Sequence, residues 1–272
     1  MPTLDATPHP LLHALAGMSR WAGTDDFPSC TEWADEHESW LQFLKTQGAL
    51  DRYLPRLREL KEQRDEAFAE IAVAYFFGVK CGLSIVEWEP AGEAGKVGEF
   101  IVADSSGAHI FVEVKSPGWE AEIAADEGRS SPRLLQPKYI LDPEARATAP
   151  WAAIRHAVRK AYPKLRANMP TLLVVNDDLM VSLSDWGQHV GGIALYTSKH
   201  PGYKQGQGYL AEDGPFANRD FERLGGVGIF TVDLPSGGIN YRFELFENRF
   251  AHPAVAVPKT FLPQCTRHTG AG

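Results

Sequence analysis

The chain has 272 residues, is 44% hydrophobic and 23% charged, and carries a formal net charge of -8. These values fit one large globular domain or a domain with an extension, and they argue against a passive basic coat for nucleic acid. Cys30, Cys81 and Cys265 are too few and too far apart for a disulfide framework or a zinc pattern. With no apolar run of membrane-spanning length and no signal-peptide pattern at the start, a cytoplasmic protein without a membrane partner is expected.

Residues 1–61 read as an N-terminal helical extension. Trp33, Trp40, Leu41 and Leu44 recur at helical spacing in a segment that ends at Gly48. A further helix is expected to continue from Leu50, with Pro55 near its start and Gly82 beyond its end. Its apolar part, Glu62 to Phe77, is expected in the core, with the stripe Phe68, Ile71, Ala72 and Tyr75 packed on a sheet and Glu70 beside that stripe.

Residues 83–90 alternate as a strand ending at Pro90, and 99–104 and 109–115 read as a hairpin. The stretch 117–150, which includes Trp119, is long, polar and rich in turn residues. Residues 150–168 predict a helix with Pro150 at its first position and Pro163 near its end. Arg155, Arg159, Lys160, Lys164 and Arg166 make that helix basic, which is either a solvated face or a place for phosphates. Residues 171–176 form a short apolar run, the pattern of a strand covered on both faces. Beyond 179 the signals weaken. Strands are expected within 225–235 and 239–248, and the tail after them has little periodicity. The order of elements is that of an α/β fold with an antiparallel meander feeding a crossover helix and a buried strand.

The hairpin carries the chemistry. A three-residue loop, Ser105-Ser106-Gly107, pairs Asp104 with Ala108 and, continued along both strands, sets Glu99 opposite Glu113. Alternation puts Glu113 and Lys115 on one strand face, and Glu99 on the matching face of the first strand. Two facing carboxylates repel, so a compensating partner is expected; a divalent cation is the natural candidate, since Mg²⁺ takes one or two carboxylates plus waters and phosphate oxygens. A solvated strand rim is the alternative reading of the same letters. The Gly-x-Gly stretch at 206–211 follows no strand and opens no helix, so it is not read as a dinucleotide site.

The stretch 97–115 resembles the core of the PD-(D/E)XK nuclease superfamily, in which an acidic residue starts one strand and Glu-x-Lys lies on its partner. Glu99 and Glu113-Val114-Lys115 stand at those places, and Gly98-Glu99 replaces the family's Pro-Asp. The resemblance covers about residues 62–178, with 179–272 expected to complete the same domain. It implies a restriction-endonuclease-like α/β core, a mixed central sheet with an antiparallel meander flanked by helices. It further implies a Mg²⁺-dependent nuclease, with Mn²⁺ as a substitute and DNA as the expected nucleic acid. Glu99, Glu113 and the Val114 carbonyl would serve as metal ligands, Glu70 would reach a second metal or a metal-bound water (or else pair with an Arg or Lys), Lys115 would act on the attacking water, and Lys164 would point into the site. Asp104 competes with Glu99 but lies at the turn and on the opposite face. The rivals are a catalytically silent binding or assembly module of the same fold, and an unrelated α/β protein.

Overall fold

The computed structural model describes residues 8–18, 31–59, 62–116, 149–176, 191–192, 194–196, 214–234 and 238–270. Trp119 and the 206–211 stretch lie outside them. The chain divides into two compact units: Met1–Gly82 with Val232–Tyr241, and Leu83–Thr231 with Arg242–Gly272. Among the described residues no helix is long and apolar enough to cross a membrane.

The first unit holds helices α1 (Pro10–Met18), α2 (Thr31–Thr46), α3 (Leu50–Leu57) and α4 (Glu62–Tyr75). Helix α2 runs as expected, and Gly48 beyond it takes φ +67°, a conformation that glycine adopts without strain. The single helix expected from Leu50 is instead two, α3 with Pro55 inside it and α4, which ends in a π-helical turn Phe76–Lys80. Of the expected stripe, Ile71, Ala72 and Tyr75 are buried, and Tyr75 lies 6.2 Å from the Tyr241 ring; Phe68 and Tyr75 also have partners on a helix. They face α2, with Phe68 4.8 Å from the His37 ring and Tyr75 5.7 Å from the Phe43 ring, both edge-on. Glu38 of α2, buried, accepts from the amides of Leu11 (3.2 Å) and Leu12 (2.8 Å), so an acidic side chain from another helix satisfies the open N-terminus of α1.

The second unit carries a seven-stranded mixed sheet, except for the strand ends that fall within Val232–Tyr241, in the order β1 (Ser84–Trp88), β2 (Phe100–Ala103), β3 (His109–Lys115), β4 (Thr171–Asn176), β5 (Gly226–Asp233), β6 (Asn240–Glu247) and β7 (Thr266–Thr269). Strands β1, β2 and β3 form the antiparallel meander that alternation predicts, and β4 joins β3 in parallel. The hairpin register is the expected one, with Ile101 opposite Phe111 and Ala103 opposite His109. Every residue of β4 is buried, as its unbroken apolar run requires. Strand β7, in the tail where periodicity is absent, pairs in parallel with β6.

Helix α5 (Ala149–Ala161) supplies the crossover between β3 and β4 and passes into a 3₁₀ turn, Tyr162–Lys164. Its apolar side, Ile154, Ala157, Val158 and Ala161, packs in one cluster with Ile101, Phe111, Leu173 and Val175. That contact decides which sheet face α5 covers: the one shared by Phe111, Glu113 and Lys115. The basic helix is only partly a solvated face. Arg155 is buried and donates from Nε to the Ala194 carbonyl at 3.0 Å, whereas Arg159, Lys160 and His156 are exposed.

Candidate functional site

Four of the residues singled out in the sequence meet where β2, β3 and the turn after α5 converge. Glu113 points from β3 into the α5 side of the sheet and is fully buried. Lys115, two residues on, shares that face. Lys164 arrives from the 3₁₀ turn, which is anchored by fully buried Leu165 and by Tyr162, whose ring packs edge-on against Phe221 at 5.0 Å and lies under the Arg223 guanidinium at 4.6 Å. Lys115 Nζ and Lys164 Nζ each stand 2.5 Å from Glu113 Oε1 and 3.8 Å from Glu99 Oε1. They approach Glu113 as ion pairs rather than along aligned hydrogen bonds, and Glu113 Oε2 is buried with no hydrogen-bond partner among the described residues.

The compensation that the facing carboxylates demand is therefore supplied, in the chain itself, by two ammonium groups. Glu99, Lys115 and Lys164 side chains are only 15%, 16% and 22% exposed, so these charges act in a partly desolvated cluster of two positive and two negative groups. The Glu99 backbone departs slightly from the ladder, its amide reaching the Val112 carbonyl at 3.2 Å. Lys115 also donates to the Val114 carbonyl at 2.9 Å, the oxygen expected as a metal ligand.

Gly98 leaves no room for a proline before Glu99. A Cβ at this position would lie 2.2 Å from the Phe111 ring, and the Gly98 amide donates to the Pro90 carbonyl at 2.9 Å. Proline would both collide with Phe111 and lose that hydrogen bond.

Glu70 and Asp104 have strong partners of their own. Glu70, in the first unit, is buried and receives a two-pronged ion pair from Arg56, at 2.6 and 2.7 Å. Asp104 closes the hairpin: its Oδ1 accepts from the Ser106 amide (2.9 Å), the Ser106 hydroxyl (2.6 Å) and the Ala108 amide (3.0 Å), and its Oδ2 from the Thr260 hydroxyl (2.7 Å). Burial pushes its carboxyl upward, but these donors outweigh it and hold the pKa down to about 2. Among the described residues, no group of three or more His, Cys, Asp or Glu side chains is gathered as a metal site.

Sequence reasoning missed the bracing around Lys164. Arg166, read as part of a solvated face or a place for phosphates, donates from Nε to the Ala91 carbonyl at 2.6 Å and lies over the Phe111 ring at 5.7 Å. No local pattern marks this contact; only the tertiary approach of the β1–β2 loop to the α5 turn creates it. The chain matches no family model, no curated protein and no solved structure.

Proposed function

We propose that the unit carrying the seven-stranded sheet is a restriction-endonuclease-like domain that hydrolyses phosphodiester bonds of DNA with Mg²⁺ or Mn²⁺. The observation that supports this reading is the convergence of Glu99, Glu113, Lys115 and Lys164 from three elements, with Glu113 Oε2 buried and lacking a hydrogen-bond partner among the described residues. A buried carboxylate oxygen left in that condition is costly in a purely structural site.

The donors fit a hard divalent cation: Glu113 and Glu99 would hold it, with the Val114 carbonyl as a third oxygen and waters completing the set. When bound, such an ion supplies Lewis acidity and makes a nearby water more acidic. The remaining work belongs to the lysines. On this reading, phosphate oxygens take over the ammonium groups that otherwise rest on Glu113. Lys115 orients the attacking water and holds positive charge beside it, and Lys164 faces charge that builds on the phosphoryl oxygens. Glu70 enters no step in this scheme, since Arg56 occupies both of its oxygens.

The test is cleavage by the purified chain. DNA and RNA are incubated with Mg²⁺, with Mn²⁺ and with EDTA, alongside Glu113→Gln and Lys115→Met. Metal-dependent cleavage that both substitutions abolish supports the reading, and cleavage that survives both removes it. The second reading is a silent binding module of the same fold. The occupation of Glu113 Oε1 by two ammonium groups favours it, because four balanced charges need no cation. Nucleic-acid binding without cleavage, insensitive to EDTA, is its expected outcome.

A further inference from the structure

We infer that Gly92 and Arg166 are positioning residues for Lys164: the loop between β1 and β2 sets where the Lys164 ammonium meets Glu113. The inference takes its functional meaning from the proposed hydrolysis, but its geometry does not depend on it. Gly92 has φ -94°, which any residue adopts, so backbone freedom does not call for glycine there. Close approach does. A Cβ at Gly92 would lie 2.5 Å from the Lys164 carbonyl oxygen and 3.2 Å from that of Lys96. The turn that presents Lys164 is thus pressed against the loop with no room for a methyl group.

The loop itself is tightly built. Gly92 donates to the Lys96 carbonyl at 2.7 Å, Ala91 and Val97 form an antiparallel bridge, and the Glu89 amide reaches the Glu99 carbonyl at 2.9 Å. Glu89 and Ala94 hold positive φ values of 52° and 53°, conformations that side-chain-bearing residues take only where the surroundings enforce them. From the other side, Arg166 ties the chain just after Lys164 to the Ala91 carbonyl and stacks on Phe111, whose ring fills the space over Gly98. A connected set of contacts therefore joins Gly98, next to Glu99, with Phe111 of the Glu113 strand and the turn that bears Lys164. A 3₁₀ turn of three residues has little stiffness of its own. Tyr162 and Leu165 anchor the turn on the core side, and the loop sets its position on the other, where Lys164 enters.

Lysine acylation read out by mass spectrometry tests this without metal or nucleic acid. The full chain is treated with a limiting amine-reactive ester, and labelling of Lys164 is followed with Lys115 as internal reference. In Gly92→Ala, Lys164 labelling rises roughly tenfold relative to Lys115, the change that losing about 1.4 kcal/mol of contact produces. Arg166→Met, which introduces no clash and guards against misfolding of the glycine variant, raises Lys164 labelling in the same direction. Arg166→Lys, which keeps a cationic donor near Ala91, restores part of the protection. If Lys164 labelling is unchanged in both Gly92→Ala and Arg166→Met, or rises only together with that of Lys115, the positioning role is overturned. Should the protein cleave phosphodiesters, Gly92→Ala lowers kcat with KM little changed. Absence of cleavage in the native chain would remove the functional reading and leave the labelling result standing.

Discussion

Lys164 Nζ stands 2.5 Å from Glu113 Oε1, although the two residues come from different elements, a strand and the 3₁₀ turn after α5. Lys115 Nζ stands at the same distance from the same oxygen. One buried carboxylate is thus held by two cations from opposite ends of the crossover. The strand-to-strand repulsion expected between Glu99 and Glu113 becomes a four-charge balance.

This sharing predicts non-additive stability. Lys115→Met or Lys164→Met alone leaves Glu113 one ammonium partner and costs about 1 kcal/mol. The double substitution leaves Glu113 buried with neither ammonium and costs about 3–5 kcal/mol, well beyond the sum of the singles. A urea double-mutant cycle measures it; strictly additive effects would show that the two lysines do not share Glu113.

Asp104 predicts an acid-limb effect. Its pKa is held to about 2, below its ordinary value of 3.8, so its folded form favours the charged state. The stabilisation is complete above about pH 4 and is lost as pH falls through about 2, amounting to about 2 kcal/mol by linkage. Asp104→Asn removes this contribution and flattens the stability profile between those pH values. Unfolding midpoints measured across that window check it, and an unchanged slope would show that the hairpin donors do not select the carboxylate.

Gly98→Pro is predicted to damage the fold. The proline ring meets Phe111, where a Cβ already lies 2.2 Å away, and the Pro90 carbonyl loses its donor. Overpacking of this kind costs about 1–3 kcal/mol. Thermal unfolding of Gly98→Pro beside the native protein checks it, and an unchanged midpoint would show that the site admits the ring.

How much of this was legible in the sequence follows from which interactions are local. The turn Ser105-Ser106-Gly107 and the alternation around it fix the hairpin register, because a slip of one residue would turn Glu113 and Phe111 to the other face. Leu172 to Val175 are apolar without interruption because both faces of β4 are covered. Strand β7 was not legible: Thr266–Thr269 is short, polar and half-exposed at the sheet edge, so no apolar alternation marks it. The break between α3 and α4 carries no strong stop signal, since Pro55 sits inside α3 and not at its end. The partners of Arg155 and Arg166 were not legible, because a charged residue on a helix or turn looks solvated until tertiary packing supplies one, here the Ala194 and Ala91 carbonyls. Glu70 was open to two readings, a carboxylate of the metal site or the partner of an Arg or Lys, and it pairs with Arg56.

The proposed hydrolysis is tested most directly by single-turnover cleavage of an end-labelled DNA duplex and an RNA of the same sequence, by native protein, Glu113→Gln and Lys115→Met. Native protein is predicted to cleave DNA in Mg²⁺ or Mn²⁺ and not in EDTA. Lys115→Met is predicted to lose about 10²–10³ in rate, the loss typical of one charge-stabilising contact, with its fold retained. Glu113→Gln is predicted to fall to background. Equal cleavage by all three proteins, or no cleavage by native protein in either metal, would contradict the account.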